Sequence, residues 1–427
     1  MKILITNIVT LNAGDAAILY AMIDVLRTAF GEDTEFIVYD KHGDVPNRYY
    51  PDLEFRKLLY LTRESNGKRG VSRRLDHLRF RAGLWSMRQG SSLFSRLFLN
   101  SIERRDLLEY KTADLIVSSG GTYLVENYSL AARVFDYQLS LYLDRPLVFF
   151  TQSLGPFSNA ENRAALRPIF DESIAILLRD EQSRRNLDEL GVKNENVYVV
   201  ADAAFALSDL EALESAKSRV VEPGKRLRVA ISVREWKHFK TVDPAQGMNH
   251  YYEALRALSA HLVEKYGAEI TFLSTCQGMT EYWTDDSREA QKIVEGLPAS
   301  TRKSVSVDSA FHSPAVLARM LKGYDLVIAT RMHMAILALT VGTPVLPITY
   351  EFKMRELFER LEQAHWVQDI EAISGAALID AVDRFLEALP EIREPLFIAV
   401  QKEYENATAS GQLVRQAFEE WRQVRNK

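Results

Sequence analysis

An arginine and a histidine stand two residues apart in the stretch Asp325–Lys353, and their side chains could bind an anion. The apolar run Asp325–Thr330 predicts a buried parallel strand, and Met334–Val341 predicts a short helix that ends at a glycine. Arg331 and His333 then lie where the strand becomes the helix. A guanidinium and an imidazole beside the unpaired N–H groups of a helix N-terminus predict an anion pocket. The alternative is a surface arginine beside a partly buried histidine.

Polar residues and glycines follow the predicted strands of the N-terminal half in the same way. Strand-like runs at 2–9, 113–119, 147–153, 173–178 and 196–200 alternate with helix-like runs, which is typical of a parallel sheet. The carboxyl ends of parallel strands share one edge of a sheet, and ligands bind there. The candidates at this edge are Asn12, Gly14, Asp15, Gly120, Gly121, Gln152, Ser153, Arg179 and Asp202. Asp15 is also predicted to cap the helix that follows it.

A second series of strands and helices begins after the charged segment 208–225, which we interpret as an inter-domain linker. The predicted fold class is α/β, with two doubly wound Rossmann-like domains that face each other across a cleft. The predicted N-terminal domain is 1–215. The C-terminal domain, 225–395, carries Arg331 and His333, and 396–427 forms a closing helix.

Residues 63–105 form a basic insertion in the N-terminal domain. They contain eleven Lys or Arg against three Asp or Glu, an excess of eight positive charges, with large apolar residues interleaved. Such a segment can lie on an anionic membrane surface or guide an acidic substrate. A solvated pair of helices packed on the first domain is the alternative.

Composition excludes several classes of protein. A net charge of −5 and 47% hydrophobic residues describe a globular chain, not one that binds nucleic acid. Cys276 is the only cysteine, so no internal disulfide can form and a cytoplasmic location is expected. The start of the chain lacks signal-peptide features, and no run of about 20 apolar residues could span a bilayer. No cluster has metal-ligand spacing, so we predict no required metal or cofactor.

Seven motifs together resemble the polysaccharide pyruvyl transferase family, whose members have a GT-B-like architecture. The motifs span most of the chain, and Ser119 replaces one glycine often found in the family's glycine triplet. They are NAGDAAIL at 12–19, SSGGTYL at 118–124, TQSLGPF at 151–157, LLRD at 177–180, ADAAF at 201–205, SVREW at 232–236 and ATRMHMAILALTVGTPVLPITYEFK at 329–353.

The resemblance implies transfer of pyruvate from phosphoenolpyruvate to a sugar of a cell-surface polysaccharide or its lipid-linked precursor, as a ketal. It implies that Arg179, Arg331 and His333 hold the donor, an anion with a phosphate and a carboxylate that arginine suits. Ketal formation needs an acid and a base; Asp202 is the predicted base and His333 the predicted acid or phosphate stabiliser. Arg234 and Lys353 are further donor-binding candidates, and the remaining strand-end residues are predicted to form the acceptor site or to line the cleft.

Two other functions remain open at this stage. A nucleotide-sugar glycosyltransferase shares the architecture, and Glu351 is the carboxylate placed to bind a ribose. A non-catalytic sugar-binding protein is the third hypothesis, although it would not need Arg331 and His333 together at a strand end. If the acceptor is lipid-linked, the protein is expected at the inner membrane face, in peripheral contact with anionic lipid.

Overall fold

A computed structural model of the protein describes residues 1–65, 67, 70–219 and 226–425. The chain forms two compact units. The first contains Met1–Val9, Met22–Asp202 and Ala409–Lys427, and the second contains Thr10–Ala21 and Ala203–Thr408. Each unit is built on its own parallel sheet.

The first unit contains eight strands in the described chain. They are β1 (Lys2–Ile8), β2 (Glu35–Asp40), β3 (Phe55–Lys57), β4 (Leu115–Ser118), β5 (Gly121–Leu124), β6 (Leu147–Leu154), β7 (Ala175–Leu178) and β8 (Val197–Val199). Their order is β3-β2-β1-β4-β6-β7-β8, with β5 paired to β6, and the pairs are parallel. The central strands are buried along their length, as expected for a parallel sheet covered on both faces.

The second unit contains six strands in the described chain. They are β9 (Arg228–Ser232), β10 (Glu269–Phe272), β11 (Val305–Val307), β12 (Leu326–Ala329), β13 (Val345–Thr349) and β14 (Gln368–Asp369). Their order is β11-β10-β9-β12-β13-β14, and they also pair in parallel. β9 and β12 are central neighbours, so residues that follow them share one edge of the sheet.

Helices connect and cover the strands. In chain order they are α1 (Ala13–Phe30), α2 (Leu59–Glu64), α3 (Gly70–Arg88), α4 (Ser92–Phe98), α5 (Ser101–Thr112), α6 (Ala131–Tyr142), α7 (Ala160–Glu172), α8 (Glu181–Leu190), α9 (Leu210–Lys217), α10 (Pro244–Tyr266), α11 (Asp286–Glu295), α12 (Ala299–Arg302), α13 (Pro314–Leu321), α14 (Met332–Leu339), α15 (Phe352–Arg360) and α16 (Gly375–Arg425). Short 3-10 helices occupy Val45–Arg48, Ala203–Leu207, Ala364–Trp366 and Ile370–Ala372.

The compact units divide the chain at positions other than 215, 225 and 396, the boundaries expected from the sequence. The first turns of α1 belong to the second unit, because the backbone N–H of Ala13 donates to Thr275 O at 2.9 Å. Part of the expected linker forms the helix α9, which packs against Gly342. A β-carbon added at Gly342 would lie only 2.7 Å from the backbone oxygen of Ala212 in α9. Residues 220–225 of that linker lie outside the described residues.

The expected break before residue 396 is wrong, because α16 is a single helix of 51 residues with Pro390 and Pro395 inside it. Proline removes a backbone hydrogen bond and usually ends or kinks a helix. Leu389, Leu396 and Phe397 are nevertheless buried on both sides of the prolines. Burying each such side chain contributes about 1.5–3 kcal/mol, which offsets the lost hydrogen bonds.

The predicted α/β class with two doubly wound sheets is confirmed by the strand orders. Each sheet has a separate apolar core; Phe149 and Ile176 belong to that of the first unit, and Ile231 and Ile328 to that of the second. Within the described residues, none of the helices is both long and apolar enough to cross a membrane.

Candidate functional site

The start of α14 is held at the carboxyl edge of the second sheet. Ser232, the last residue of β9, accepts hydrogen bonds at its Oγ from the backbone N–H groups of Thr330 (3.1 Å) and Arg331 (3.2 Å). Arg331 is the N-cap residue, and its side chain does not cap the helix. The first-turn N–H groups therefore have no side-chain cap, and such groups attract anions.

The Arg331 guanidinium is held in one orientation by Asp286. Arg331 Nε donates to Asp286 Oδ2 at 2.8 Å, and NH2 donates to Oδ1 at 2.6 Å. The carboxylate is 1% exposed and the arginine side chain 13%. Burial opposes the charged form of Arg331, but the adjacent Asp286 outweighs it and raises the pKa of the guanidinium above its ordinary value. The ion pair uses the Nε–H group and one N–H group of NH2. The other N–H groups of the guanidinium fork can therefore donate to a ligand.

Asp286 is itself positioned by the loop that precedes α11. Ser274 Oγ donates to Asp286 Oδ2, and the backbone N–H of Asp286 donates to Cys276 O at 2.7 Å. Cys276 is buried, and burial raises the pKa of its thiol to about 12. Cys276 is therefore a core residue, and its thiol is kept in the unreactive protonated form.

Gly14 packs directly against His333. A β-carbon added at Gly14 would lie 2.6 Å from His333 Cβ and 2.8 Å from its Nδ1, so the close approach requires glycine at this position. The structure thus brings the turn that begins α1 to the start of α14. The sequence predicts that Gly14 lies at the acceptor site or in the cleft, and this contact places it beside His333.

Asn12, rather than Asp15, caps the start of α1, which corrects the expected helix start. Asn12 Oδ1 accepts from the backbone N–H of Gly14 at 2.9 Å, and Asn12 O accepts from Ala16 N at 2.9 Å. Asp15 lies in the first helical turn and accepts from Asn12 Nδ2 at 2.9 Å. Both residues therefore hold the turn that carries Gly14 against His333.

Arg234 and Lys353 follow β9 and β13 in the same unit. Arg234 NH1 donates to the hydroxyl of Tyr350, and its guanidinium lies 4.3 Å from the Tyr350 ring centroid. Lys353 forms an ion pair with Glu351 at 2.9 Å. Burial opposes ionisation of Glu351, but Lys353 and Arg234 lower the pKa of that carboxyl, so it is charged at neutral pH.

Arg179 is the centre of a separate cluster in the first unit. Its Nε donates to Ser153 Oγ at 2.7 Å, NH1 to Asp202 Oδ2 at 2.5 Å, and NH2 to Thr122 Oγ1 at 2.8 Å. The side chains of Arg179 and Asp202 are each 5% exposed. Ser153 Oγ in turn donates to Asp180, which caps α8. The predicted residues Ser153, Arg179 and Asp202 thus form one hydrogen-bonded group.

Gln152 and the two glycines shape the end of β4 and the start of β5. Gln152 Nε2 donates to Ser118 Oγ at 3.2 Å and to Ser119 O, while its Oε1 is buried without a partner in the described chain. Gly121 has a φ of +129° and pairs with Gln152 as the first residue of β5, a strand the sequence did not predict. Gly120 is the buried residue before it.

Asn7, Ser118 and Arg133 form a buried polar group at the ends of β1 and β4 that the sequence did not predict. Asn7 has the left-handed φ of 65° and donates from Nδ2 to Ser118 Oγ at 3.3 Å. Arg133 of α6 donates from Nε to Asn7 Oδ1, and burial lowers the pKa of its guanidinium. No carboxylate of the described residues lies within 4 Å of Arg133. This cation can therefore bind an anionic or hydroxyl-rich ligand without first breaking an ion pair.

The structure gathers the predicted residues into two groups, one per unit. Arg331 and His333 lie together with Asn12, Gly14 and Asp15 in the second unit, where Arg234 and Lys353 pair with residues at the end of β13. The first-unit group is Gly120, Gly121, Gln152, Ser153, Arg179 and Asp202. Asp286 and Arg133 were missed, since neither follows a strand. The Asp285-Asp286-Ser287 helix-start pattern was the one available signal for Asp286.

Comparison with known proteins identifies the class to which this site belongs. The family model for polysaccharide pyruvyl transferase matches residues 12–351, a range that contains the predicted residues of both units except Lys353. The chain therefore belongs to the polysaccharide pyruvyl transferase family and is a transferase.

One curated relative matches nearly the whole chain. The chain is 26% identical over 420 residues to the amylovoran biosynthesis protein AmsJ of Erwinia amylovora, covering 94% of this chain and 96% of the relative. The match supports a general role in polysaccharide biosynthesis.

Solved structures agree with the fold. HepE of Anabaena in complex with UDP superposes with a TM-score of 0.57 at 12% identity, covering 98% of this chain and all of that one. The UDP-GlcNAc 2-epimerase of Neisseria meningitidis gives 0.55 at 14% identity, with 98% and 100% coverage. A trehalose-phosphate synthase of Burkholderia xenovorans gives 0.54 at 14%, covering 98% of each chain. These likenesses confirm the GT-B-like fold class.

Proposed function

We propose that the protein transfers pyruvate from phosphoenolpyruvate to a sugar of a cell-surface polysaccharide or its lipid-linked precursor and forms a ketal. The observation that carries the proposal is the Arg331 fork, fixed by the buried Asp286 beside His333 at the uncapped start of α14. A fixed guanidinium suits a planar carboxylate or phosphate, and a helix N-terminus suits phosphate. Phosphoenolpyruvate carries both groups.

The donor would be bound chiefly through Arg331, His333 and the first-turn N–H groups of α14. Arg234 and Lys353 are the further cations of the second unit; both are held by neighbours, so each would contribute charge from a fixed position. Arg179 is the proposed donor ligand from the first unit, where Asp202 and Ser153 already fix its guanidinium.

Ketal formation has a defined balance of atoms and protons. One sugar hydroxyl and then a second bond to the central carbon of the donor, the methylene carbon gains a proton, and the carbon–oxygen bond to phosphate breaks. Of the two hydroxyl protons, one balances the new methyl group and the other leaves with phosphate. We assign His333 as the acid or phosphate stabiliser and Asp202 as the base that accepts a hydroxyl proton.

The acceptor sugar is proposed to bind the first unit. Gln152 and Ser153 are buried at the end of β6, where their hydrogen bonds fix this edge of the sheet, and Gly120 and Gly121 allow a close backbone approach. Arg133 adds a cation that forms no ion pair within 4 Å in the described chain, although the carboxylate of Asp136 is near enough to interact with it. Hydroxyl-rich sugars are usually recognised by such convergent polar groups.

A reaction with a defined product tests the proposal. The enzyme is incubated with phosphoenolpyruvate and a saccharide acceptor from which pyruvyl groups have been removed, and the product is examined by proton NMR. A ketal and an enolpyruvyl ether have the same mass, but the ketal shows a methyl signal and the ether shows methylene protons. We expect the methyl signal together with release of phosphate. Methylene signals would contradict ketal formation, and transfer of a sugar from a nucleotide would contradict pyruvyl transfer.

Asp202→Asn separates the two roles that the structure allows for this carboxylate. If Asp202 is the base, kcat falls by about 100-fold or more while KM for phosphoenolpyruvate changes little. If Asp202 only positions Arg179, KM rises instead, and Arg179→Lys reproduces that rise. We expect the kcat effect, measured by steady-state phosphate release, and an increase confined to KM would remove Asp202 as the base.

A nucleotide-sugar glycosyltransferase is the second candidate function. The ionised Glu351 directly follows Tyr350, whose ring centroid is 4.6 Å from that of Trp236, and a carboxylate near aromatic rings can hold a nucleoside. The solved HepE and epimerase neighbours are bound to UDP or UDP-GlcNAc. We favour pyruvyl transfer because Lys353 already neutralises Glu351 and the family model names that reaction.

A further inference from the structure

The outward face of α3 is apolar. Val71, Leu75, Leu78 and Trp85 are 60–72% exposed, and at 3.6 residues per turn they fall within an arc of roughly 80°. The opposite face carries the buried residues Phe80, Gly83 and Met87. A surface helix normally presents polar side chains to water on the face that its core contacts leave free. The apolar stripe of α3 therefore has no role in the core of its own unit.

The following helix, α4, extends this apolar surface. Phe94 and Leu97 are 60% and 76% exposed. Gly83 of α3 packs closely against Leu99, the residue that follows α4, because a β-carbon added at Gly83 would lie 2.4 Å from Leu99 Cγ. Of the sixteen large apolar side chains exposed in the described chain, nine lie between Val71 and Leu108. Such a concentration marks an interaction surface rather than scattered exposure. We call the exposed faces of α3 and α4 the apolar hairpin face.

The carboxylates of the insertion are used inside it. Glu103, 1% exposed, accepts from Arg63 and Arg79, and Asp76 pairs with the same two arginines. The third carboxylate, Glu64, pairs with Arg73 on the surface. Two arginines and two carboxylates thus form a network of ion pairs whose charges cancel. This network links α2, α3 and α5.

The arginines around the apolar hairpin face are left uncompensated. Arg74 and Arg81 follow one edge of the α3 stripe, and Arg96 lies on α4. All three are exposed, and they have no ion-pair or hydrogen-bond partner within the described part of the chain. Exposed apolar side chains bordered by unpaired guanidinium groups are complementary to a lipid layer, which has an apolar interior and anionic headgroups.

We propose that the apolar hairpin face docks on an anionic lipid surface, with Leu75, Leu78, Trp85, Phe94 and Leu97 at the headgroup boundary and Arg74, Arg81 and Arg96 on the lipid phosphates. A second copy of the chain fits less well, because it would bring a second set of unpaired arginines to the same face. This docking does not rest on the identity of the donor. It extends the proposed function by placing the enzyme at the surface where a lipid-linked acceptor is found.

Vesicle flotation tests the docking. Phosphatidylcholine vesicles with and without phosphatidylglycerol are mixed with the full-length protein at low and high salt. We expect flotation with the anionic vesicles that weakens as salt rises, since salt near 1 M shortens the Debye length to about 3 Å. At about 1 kcal/mol for each arginine near the surface, the variant Arg74→Ser, Arg81→Ser, Arg96→Ser should bind about 100-fold more weakly.

Matched variants separate charge, apolar contact and self-association. Lys303→Ser, Arg319→Ser, Lys402→Ser removes the same charge from exposed positions of the second unit and should float like the wild type. Leu78→Ser with Trp85→Ser should lose the binding that persists at high salt. Equal melting temperatures show that each variant is folded, and calorimetric donor binding should be the same in all of them.

Three outcomes would overturn the docking proposal. They are a wild-type protein that stays with the unbound fraction, equal flotation with neutral vesicles, and a dimer in sedimentation that Leu78→Ser with Trp85→Ser dissociates. The last would assign the face to a second copy. None of them bears on donor binding, so failure of the docking can be told apart from failure of the proposed function.

Discussion

Replacing Arg331 by alanine is expected to weaken phosphoenolpyruvate binding by about 2–5 kcal/mol, which corresponds to a loss of about 30-fold to several thousand-fold in affinity. The reason is that the guanidinium is fixed before the donor arrives, so its charged hydrogen bonds need no reorganisation. Arg331→Lys keeps the charge but loses the fork, and it should recover only part of the affinity. Calorimetric titration measures both variants, and unchanged donor affinity in a folded Arg331→Ala protein would remove Arg331 from the site.

The same substitution should also lower the free energy of unfolding. Asp286 is 1% exposed, and removing its partner leaves a buried carboxylate with too few donors, a loss of about 3–5 kcal/mol. The double variant Arg331→Ala, Asp286→Ala removes both charges. It should recover much of the lost free energy of unfolding but not the affinity for phosphoenolpyruvate. Chemical denaturation measures the stability difference. A double variant less stable than either single variant would show that Asp286 has a structural role apart from Arg331.

Gly14→Ala is expected to lower kcat/KM by about 100-fold with only a small change in stability. The new β-carbon would lie 2.6 Å from His333 Cβ, so the imidazole or the start of α1 must move, and a shift of about 1 Å at a reacting group costs about 100-fold. Alanine favours the helix by about 0.5–1 kcal/mol, which offsets part of an overpacking cost of about 1–3 kcal/mol.

Gly411→Ala is the matched control for Gly14→Ala. Gly411 also lies in a helix, α16, and its added β-carbon would meet Val25 O at 2.8 Å in the first unit, away from His333. Gly411→Ala should therefore have about the same gain in helix propensity and the same overpacking cost as Gly14→Ala. Its activity, however, should be retained. Steady-state kinetics and thermal unfolding of both variants provide the test. Full activity in Gly14→Ala would mean that the position of His333 is unimportant for the reaction.

The sequence was sufficient to predict the central strands of both sheets and the strand-end residues, but not β3, β5 or β14. Short apolar runs that alternate with helical patterns mark buried parallel strands, and the carboxyl edge of such a sheet is where polar residues meet a ligand. Arg331 and His333 could be placed at a helix start in this way, and β12 and α14 confirm that placement. Arg179 and Asp202 likewise follow β7 and β8, and they are in contact.

The partners of these residues could not be predicted, because they depend on contacts between distant parts of the chain. Asp286 is 45 residues before Arg331 and follows a loop instead of a strand. The turn at Asn12–Asp15 follows a strand of the first sheet but packs on His333 of the second unit, and no local pattern carries that information. The apolar face of α3 was visible only as interleaved leucines, since its direction depends on how Phe80 and Met87 pack.

Calorimetric titration of the wild-type protein with phosphoenolpyruvate, UDP-glucose and inorganic phosphate, each alone, tests the identity of the donor most directly. We expect saturable binding of phosphoenolpyruvate, weaker binding of phosphate, no heat from UDP-glucose, and loss of the phosphoenolpyruvate signal in Arg331→Ala. A ligand that binds only the folded protein must also raise its melting temperature, which confirms each signal independently. Tight binding of UDP-glucose with no response to phosphoenolpyruvate would contradict pyruvyl transfer and favour the glycosyltransferase.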